Sequence, residues 1–173
     1  LVSCVTMGGV RAIRDAPLAR ATAGRPLRLL TTTYMGNTEA AAIAWLAERL
    51  SRDLGRTEAH GCISSALHRD DFSRRGMAVS RDATHLPFEI EGRHIMLVDD
   101  VLYTGRTTRA VINELFDYGR PASVTLVVLV DRGGREMPIE PVFSAARITL
   151  PAEQRVALGR DEQGQLHFQF ERV

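Results

Sequence analysis

Apolar residues fall into short continuous runs along this chain, separated by stretches with helical spacing. Leu27 to Thr33, LRLLTTT, has the β-branched content of a strand. EAAAIAWLAERLSRDLG follows it, with a helical pattern that ends at Gly55. A second strand is expected from about Cys62 to Leu67, after which charged and small residues run without period to Pro87. So long a connection is usually a functional lid, and residues 72–87 are a candidate mobile loop. RHIMLVDD predicts a third strand, and TTRAVINELFDYG a helix with Val111, Ile112, Leu115 and Phe116 on one side. ASVTLVVLVD predicts a fourth strand, apolar enough to be buried on both faces. ITL near Ile148 predicts a further short strand, and RVALGRDEQGQLHFQFERV an antiparallel hairpin at the sheet edge. Residues 1–26 show no clear period.

Strands alternating with helices predict an α/β chain with a mainly parallel, doubly wound sheet and helices on both faces. The 173 residues make one domain the default, spanning 1–173. With 45% hydrophobic and 25% charged residues, the chain has the profile of a globular protein rather than a disordered or fibrous one. A formal net charge of +1 restricts any nucleic-acid binding to a local patch. All 22 basic residues are arginine, so side-chain contacts to phosphate would be forked guanidinium contacts. Cys4 and Cys62 lack metal-type spacing and read as structural, and His68 and the other histidines show no ligand spacing. No apolar run approaches membrane-spanning length and the first residues lack signal-peptide order, so a cytoplasmic location is expected.

The chemistry concentrates in HIMLVDDVLYTGRTTRA, His94 to Ala110. In open α/β sheets ligands bind beyond the carboxyl ends of strands, which is where Asp99 and Asp100 fall. Two adjacent like charges after four apolar residues are costly unless solvated or paired. Gly105 lets the backbone approach a ligand closely, and the N–H groups of Thr104 to Thr108 lead into a helix whose positive end favours an anion. The hydroxyls of Thr104, Thr107 and Thr108 would donate to phosphate, leaving the carboxylates for sugar hydroxyls or Mg²⁺. A sugar phosphate satisfies both halves.

Four apolar residues, two acidic residues and a Thr-Gly-x-Thr turn resemble the phosphoribosyl diphosphate (PRPP) motif of type I phosphoribosyltransferases. The longer run VDDVLYTGRTTRAVINELFDYGRPASVTLVVLVDRGGREMPI, with HRDDFSRRG before it, resembles the PyrR family of pyrimidine operon regulators with uracil phosphoribosyltransferase activity. The resemblance covers about Trp45 to Val173. It implies the type I phosphoribosyltransferase fold, with a small hood and a C-terminal hairpin. Asp99 and Asp100 would then hold the ribose hydroxyls, with Val101, Leu102 and Tyr103 leading into a Thr104, Gly105, Arg106, Thr107, Thr108 loop around the 5′-phosphate. Arg132 and Val156 fall where the family contacts the nucleotide and its base, and Arg69 and Asp70, with Asp71, match the start of its mobile loop. Mg²⁺ would be held mainly by pyrophosphate and ribose oxygens, with Asp99 and Asp100 assisting. The family also holds pyrophosphate on a loop after its first strand, and the chain departs from it there. Aligned on AWLAERL, the preceding positions read NTEAAAI; aligned on LRLLTTT, the loop is Gly36, Asn37 and Thr38, and catalysis is expected to suffer more than nucleotide binding.

The implied reaction is uracil plus PRPP to UMP plus pyrophosphate, through an oxocarbenium-like transition state. Pyrimidine-operon RNA is the implied further partner, and a homodimer the implied assembly. Two rival readings are a UMP-responsive RNA-binding regulator with weak or lost catalysis, and a phosphoribosyltransferase for another base.

Overall fold

The computed structural model describes residues 27–33, 43, 44, 47, 48, 51, 52, 59–64, 84–161 and 166–172. Residues 1–26, the Gly36, Asn37 and Thr38 loop, and Arg69 and Asp70 with most of the 72–87 loop lie outside them. The strands are β1 (Leu27–Thr33), β2 (Gly61–Ser64), β3 (His94–Leu102), β4 (Ser123–Asp131), β5 (Phe143–Arg147), β6 (Gln154–Arg160) and β7 (Leu166–Arg172). The helix α1 spans Arg106–Asp117. A 5-stranded sheet runs β2-β1-β3-β4-β5. Every neighbouring pair in it is parallel. The carboxyl ends of all five strands therefore lie on one side of the sheet.

The apolar runs form strands because both faces of the sheet are covered. Met96 and Val98 join Leu29, Val127, Leu129, Val130 and Val156 in one cluster. Ile95 and Leu97 join Leu30, Ile63, Leu126, Val128 and the α1 residues Val111 and Leu115 in the other. Residues facing opposite ways are thus both buried, which removes any need for polar alternation. Earlier in the chain, Ile43, Ala47 and Ser51 are helical and buried four residues apart, while Glu48 and Arg52 are exposed.

Several expectations are corrected. The β6–β7 hairpin is a separate 2-stranded sheet, not an extension of the main edge. Its Val156 and Phe168 pack on the Met96 and Val98 face. Sequence alternation shows that a hairpin has one buried face but not which surface it covers. The fifth strand is Phe143–Arg147, just before Ile148. Its register on β4, Val127 with Phe143 to Asp131 with Arg147, ends where β4 ends. Phe116 is 39% exposed, so the inward stripe of α1 is Thr108, Val111 and Leu115. The far end of the predicted 72–87 loop is anchored. His85 pairs with Cys62 through N–H···O bonds of 2.8 and 2.7 Å, and the Thr84 hydroxyl donates to Glu114 at 2.6 Å.

Candidate active site at the carboxyl ends of β1 and β3

Chain connections leave β1 toward β2 on one side and β3 toward β4 on the other, so the β1/β3 boundary is the switch point of the sheet. Asp99 lies there, 7% exposed, as the last of five consecutive buried residues in β3. Its Oδ1 accepts from the Thr32 hydroxyl of β1 at 2.6 Å and from the Asp100 N–H at 3.0 Å. Asp100 is half-buried, and its Oδ1 accepts from the Val101 N–H at 2.7 Å. Burial, and then the neighbouring Asp100 charge, push the Asp99 carboxyl up to about 7, against the opposing pull of the Thr32 and Asp100 hydrogen bonds. The Thr32 side chain is the partner that the sequence reading missed. Three threonines closing β1 after Leu29 and Leu30 were the available signal, since polar groups buried at a strand end need a partner.

Beyond β3 the chain turns through Gly105, whose φ of 86° is left-handed, directly into α1. The first turn of α1 carries no acidic residue. Its positive end therefore has no carboxylate of its own sequence to offset it. A Cβ on Gly105 would lie 3.2 Å from Met137 Cβ. The absent side chain makes room for the segment after β4. Thr104 and Thr107 are partly accessible, but Thr108 is 1% exposed and turned into the core. Its hydroxyl is removed from the phosphate role expected for it. Leu102 is likewise 1% exposed in the α1-side cluster, leaving its main chain as what it can present, while Val101 packs against the opposite cluster.

Arg132 is brought to this site. Its backbone N–H donates to Leu102 O at 2.9 Å, its guanidinium lies 3.7 Å from the centre of the Tyr103 ring, and Nη2 donates to Pro151 O at 3.3 Å. It is only 7% exposed, with a buried Nε that has no partner among the described residues. An orphaned donor on a buried cation is expensive, and is the kind of group a bound ligand satisfies. Arg135, as easily read from sequence as a surface charge, is instead inserted between the two strand ends. Nη1 donates to Tyr103 O at 2.7 Å and Nη2 to Asp131 Oδ1 at 2.6 Å. Burial opposes the Asp131 charge, but the Arg135 bond, the Gly133 N–H and the Arg135 and Arg147 charges outweigh it and hold the carboxyl below its usual range. The Val156 side chain is 8% exposed in the hydrophobic cluster. Any contact it offers a base comes from its main chain.

Among the described residues no three His, Cys, Asp or Glu side chains could jointly hold a metal. The described donors to Asp99 and Asp100 converge on Oδ1 in each. That suits Mg²⁺ shared with substrate oxygens, since this ion is commonly held by one or two carboxylates plus phosphates and water.

A buried and a half-buried aspartate thus stand at a switch point and lead through a left-handed glycine to the start of α1, where the Arg106 N–H donates to the Thr104 hydroxyl at 3.3 Å; the chain that builds this site is similar to known proteins. The phosphoribosyl transferase domain family matches residues 41–152. Bifunctional protein PyrR of Ralstonia nicotianae is 54% identical over 121 residues, covering 70% of this chain and 69% of that protein. The chain belongs to the PyrR family of phosphoribosyltransferases. Bifunctional protein PyrR of Pseudomonas putida is 50% identical over 114 residues, covering 66% of each. The chain thus matches about two thirds of the length of these relatives. Among solved structures, a hypoxanthine-guanine phosphoribosyltransferase from Bacillus anthracis superposes with a TM-score of 0.65 at 15% identity, over 86% of this chain and 82% of that one. The hypoxanthine phosphoribosyltransferase of Trypanosoma cruzi gives 0.59 at 20% identity, over 86% and 79%. At such identities these two speak for the fold, which is that of the type I phosphoribosyltransferases.

Proposed function

We propose that the chain transfers the 5-phosphoribosyl group of PRPP to uracil, releasing UMP and pyrophosphate. The observation that carries this reading is the union of two carboxylates with a left-handed turn at the head of α1, beside the β1/β3 switch point. In this reading Asp99 and Asp100 accept from the ribose hydroxyls, while the main chain of Thr104 to Thr107 and the hydroxyls of Thr104 and Thr107 surround the 5′-phosphate. Arg132 and the Val156 main chain face the nucleotide and its base. Arg69 and Asp70 belong to the loop that shields the reaction from water, and Gly36, Asn37 and Thr38 hold the leaving pyrophosphate.

Asp99 is suited to a transition state with positive charge on the sugar. Its buried carboxylate lacks a cationic partner among the described residues, so it stabilises charge that develops during the reaction better than charge already present. Mg²⁺, which would be held mainly by pyrophosphate and ribose oxygens with Asp99 and Asp100 assisting, would supply countercharge to the pyrophosphate. Pyrophosphate release from PRPP and Mg²⁺ is expected to require uracil in the wild type. It should fall about 10²–10³-fold in the Asp99→Asn, Asp100→Asn double variant, the scale of losing a preorganised electrostatic group. Undiminished release by the double variant would remove the assignment. Hypoxanthine and guanine tested beside uracil decide the base, because the motif grips only the sugar phosphate.

The relatives' names say that they are bifunctional, and the sequence reading supplies the second role proposed with it: UMP-sensitive binding of pyrimidine leader RNA by a homodimer in the cytoplasm. Titrating that RNA at several salt concentrations, with and without UMP, tests it. Binding that ignores UMP at every salt concentration would eliminate the regulatory role.

A further inference from the structure

The segment after β4 takes hold of the phosphate-binding turn at three successive carbonyls. Leu102 O accepts from the Arg132 N–H at 2.9 Å, and Tyr103 O accepts from Arg135 Nη1 at 2.7 Å. Thr104 O accepts from the N–H groups of Glu136 at 3.0 Å and Met137 at 2.9 Å. None of the described peptide bonds is cis. In a trans peptide the N–H lies opposite the C=O of the same plane. With these three carbonyls drawn toward the 132–137 segment, the N–H groups of Tyr103, Thr104 and Gly105 are turned the other way.

Side chains reinforce the grip. Met137 and Ile139 fill the space a Gly105 side chain would occupy, with Cβ atoms 3.2 and 3.4 Å from its ideal Cβ position. The Tyr103 ring lies under Arg132 and against Gly134, where an added Cβ would come within 2.5 Å of it. At the centre, Arg135 spans both strand ends, with its Nη2 on Asp131 of β4 and its Nη1 on Tyr103 beyond β3. Its side chain is 14% exposed, so this guanidinium is not a surface charge that happens to lie nearby. Because Asp131 neutralises it, it orients the turn without competing for an anion's charge.

We propose that residues 132–137 are a strap that presets the anion-binding turn for the 5′-phosphate, with Arg135 as its positioning residue. The inference rests on the phosphoribosyl reading for the identity of the anion. It adds that the cradle is held open by the neighbouring strand's end before any ligand arrives, which removes an ordering cost from binding. The planar fork of Arg135 places separate nitrogens on the carboxylate and the peptide carbonyl, an arrangement that a single lysine ammonium reproduces poorly.

The test uses the full chain. Ribose 5-phosphate is titrated into the wild type, Arg135→Gln and Arg135→Lys, and KM is measured separately for PRPP and for uracil. Arg135→Gln is expected to weaken ribose 5-phosphate and raise KM for PRPP by about tenfold, with KM for uracil changing less than about twofold. Arg135→Lys should lie between, and it carries the test should Arg135→Gln fail to fold. In the wild type, the amide resonances of Thr104 to Thr107 should move when ribose 5-phosphate is added. Unmoved resonances, unchanged affinity in the variants, or equal rises in both KM values would overturn the strap. The two readings fail separately. Ribose 5-phosphate binding that depends on Arg135 without uracil turnover sinks the uracil assignment alone. Uracil turnover with an unaltered KM for PRPP in Arg135→Gln sinks the strap alone.

Discussion

β3 and β4 each carry a buried aspartate toward the carboxyl end, Asp99 three residues before the end of β3 and Asp131 at the end of β4, and the two are handled in opposite ways. Asp99 and Asp131 are 7% and 6% exposed, so burial weighs on both. At Asp131 the protein answers with Arg135, Arg147 at 3.8 Å and the Gly133 N–H, and the carboxyl stays charged below its usual range. At Asp99 it answers with a neutral hydroxyl, one amide and a second carboxylate, and the carboxyl rises to about 7. Similar exposed surface thus goes with opposite proton affinities, because Asp99 lies deeper below the surface and because the partners differ. Asp131 is finished as a piece of structure. Asp99 is left unfinished, in the state of a group that awaits donors from outside the chain.

The largest expected effect comes from breaking the finished end. Asp131→Ala leaves Arg135 buried without its carboxylate, at a cost of about 3 kcal/mol. In a chain of this length that should lower Tm by roughly 6–12 °C, read by thermal melting. A loss under about 1 kcal/mol would mean that Asp131 is no more satisfied than Asp99.

The unfinished end should behave in the reverse sense. The folded state holds the Asp99 proton more tightly than the unfolded chain, so Asp99 lowers stability as pH rises from the ordinary value of 3.8 to about 7. Asp131, with its folded value depressed, contributes stability that is present above its unfolded pKa and lost as pH falls through its folded one. Asp99→Asn in the ligand-free protein should therefore stabilise by about 2 kcal/mol near pH 8 and have little effect near pH 4. Equal effects at both pH values would show that the substitution acts through packing rather than through charge.

The smallest effect sharpens the contrast by exposure. Arg106 and Glu136 pair across the strap with Nε to Oε2 at 2.9 Å, but their side chains are 50% and 48% exposed. Arg106→Gln should cost less than about 0.5 kcal/mol in chemical denaturation, since solvent already screens such pairs.

The sequence was most legible where physics is local or repetitive. β1 appears where LRLLTTT was read, and the third and fourth strands appear within two residues of their apolar runs, because two-sided burial leaves a continuous signature. β5 was misplaced because FSAAR is half-buried and small, so its strand state comes from pairing with β4 rather than from its own residues. The acidic pair and the glycine turn were likewise visible in one stretch. Thr32 and Arg135 were not, since each acts on a partner about thirty or more positions away. No local pattern tells a buried arginine from an exposed one before the strands are placed.

The strap also bears on what would be carried by transplanting the motif. A designer grafting VDDVLYTGRTT onto another parallel sheet would move the two carboxylates and the glycine but leave behind what orients the turn. Without an arginine reaching in from the adjacent strand and amides at the positions of Glu136 and Met137, the grafted carbonyls would have water as their partner and the loop many shapes to choose from. The unit that engineering would have to copy is a pair of neighbouring strand ends rather than a contiguous word.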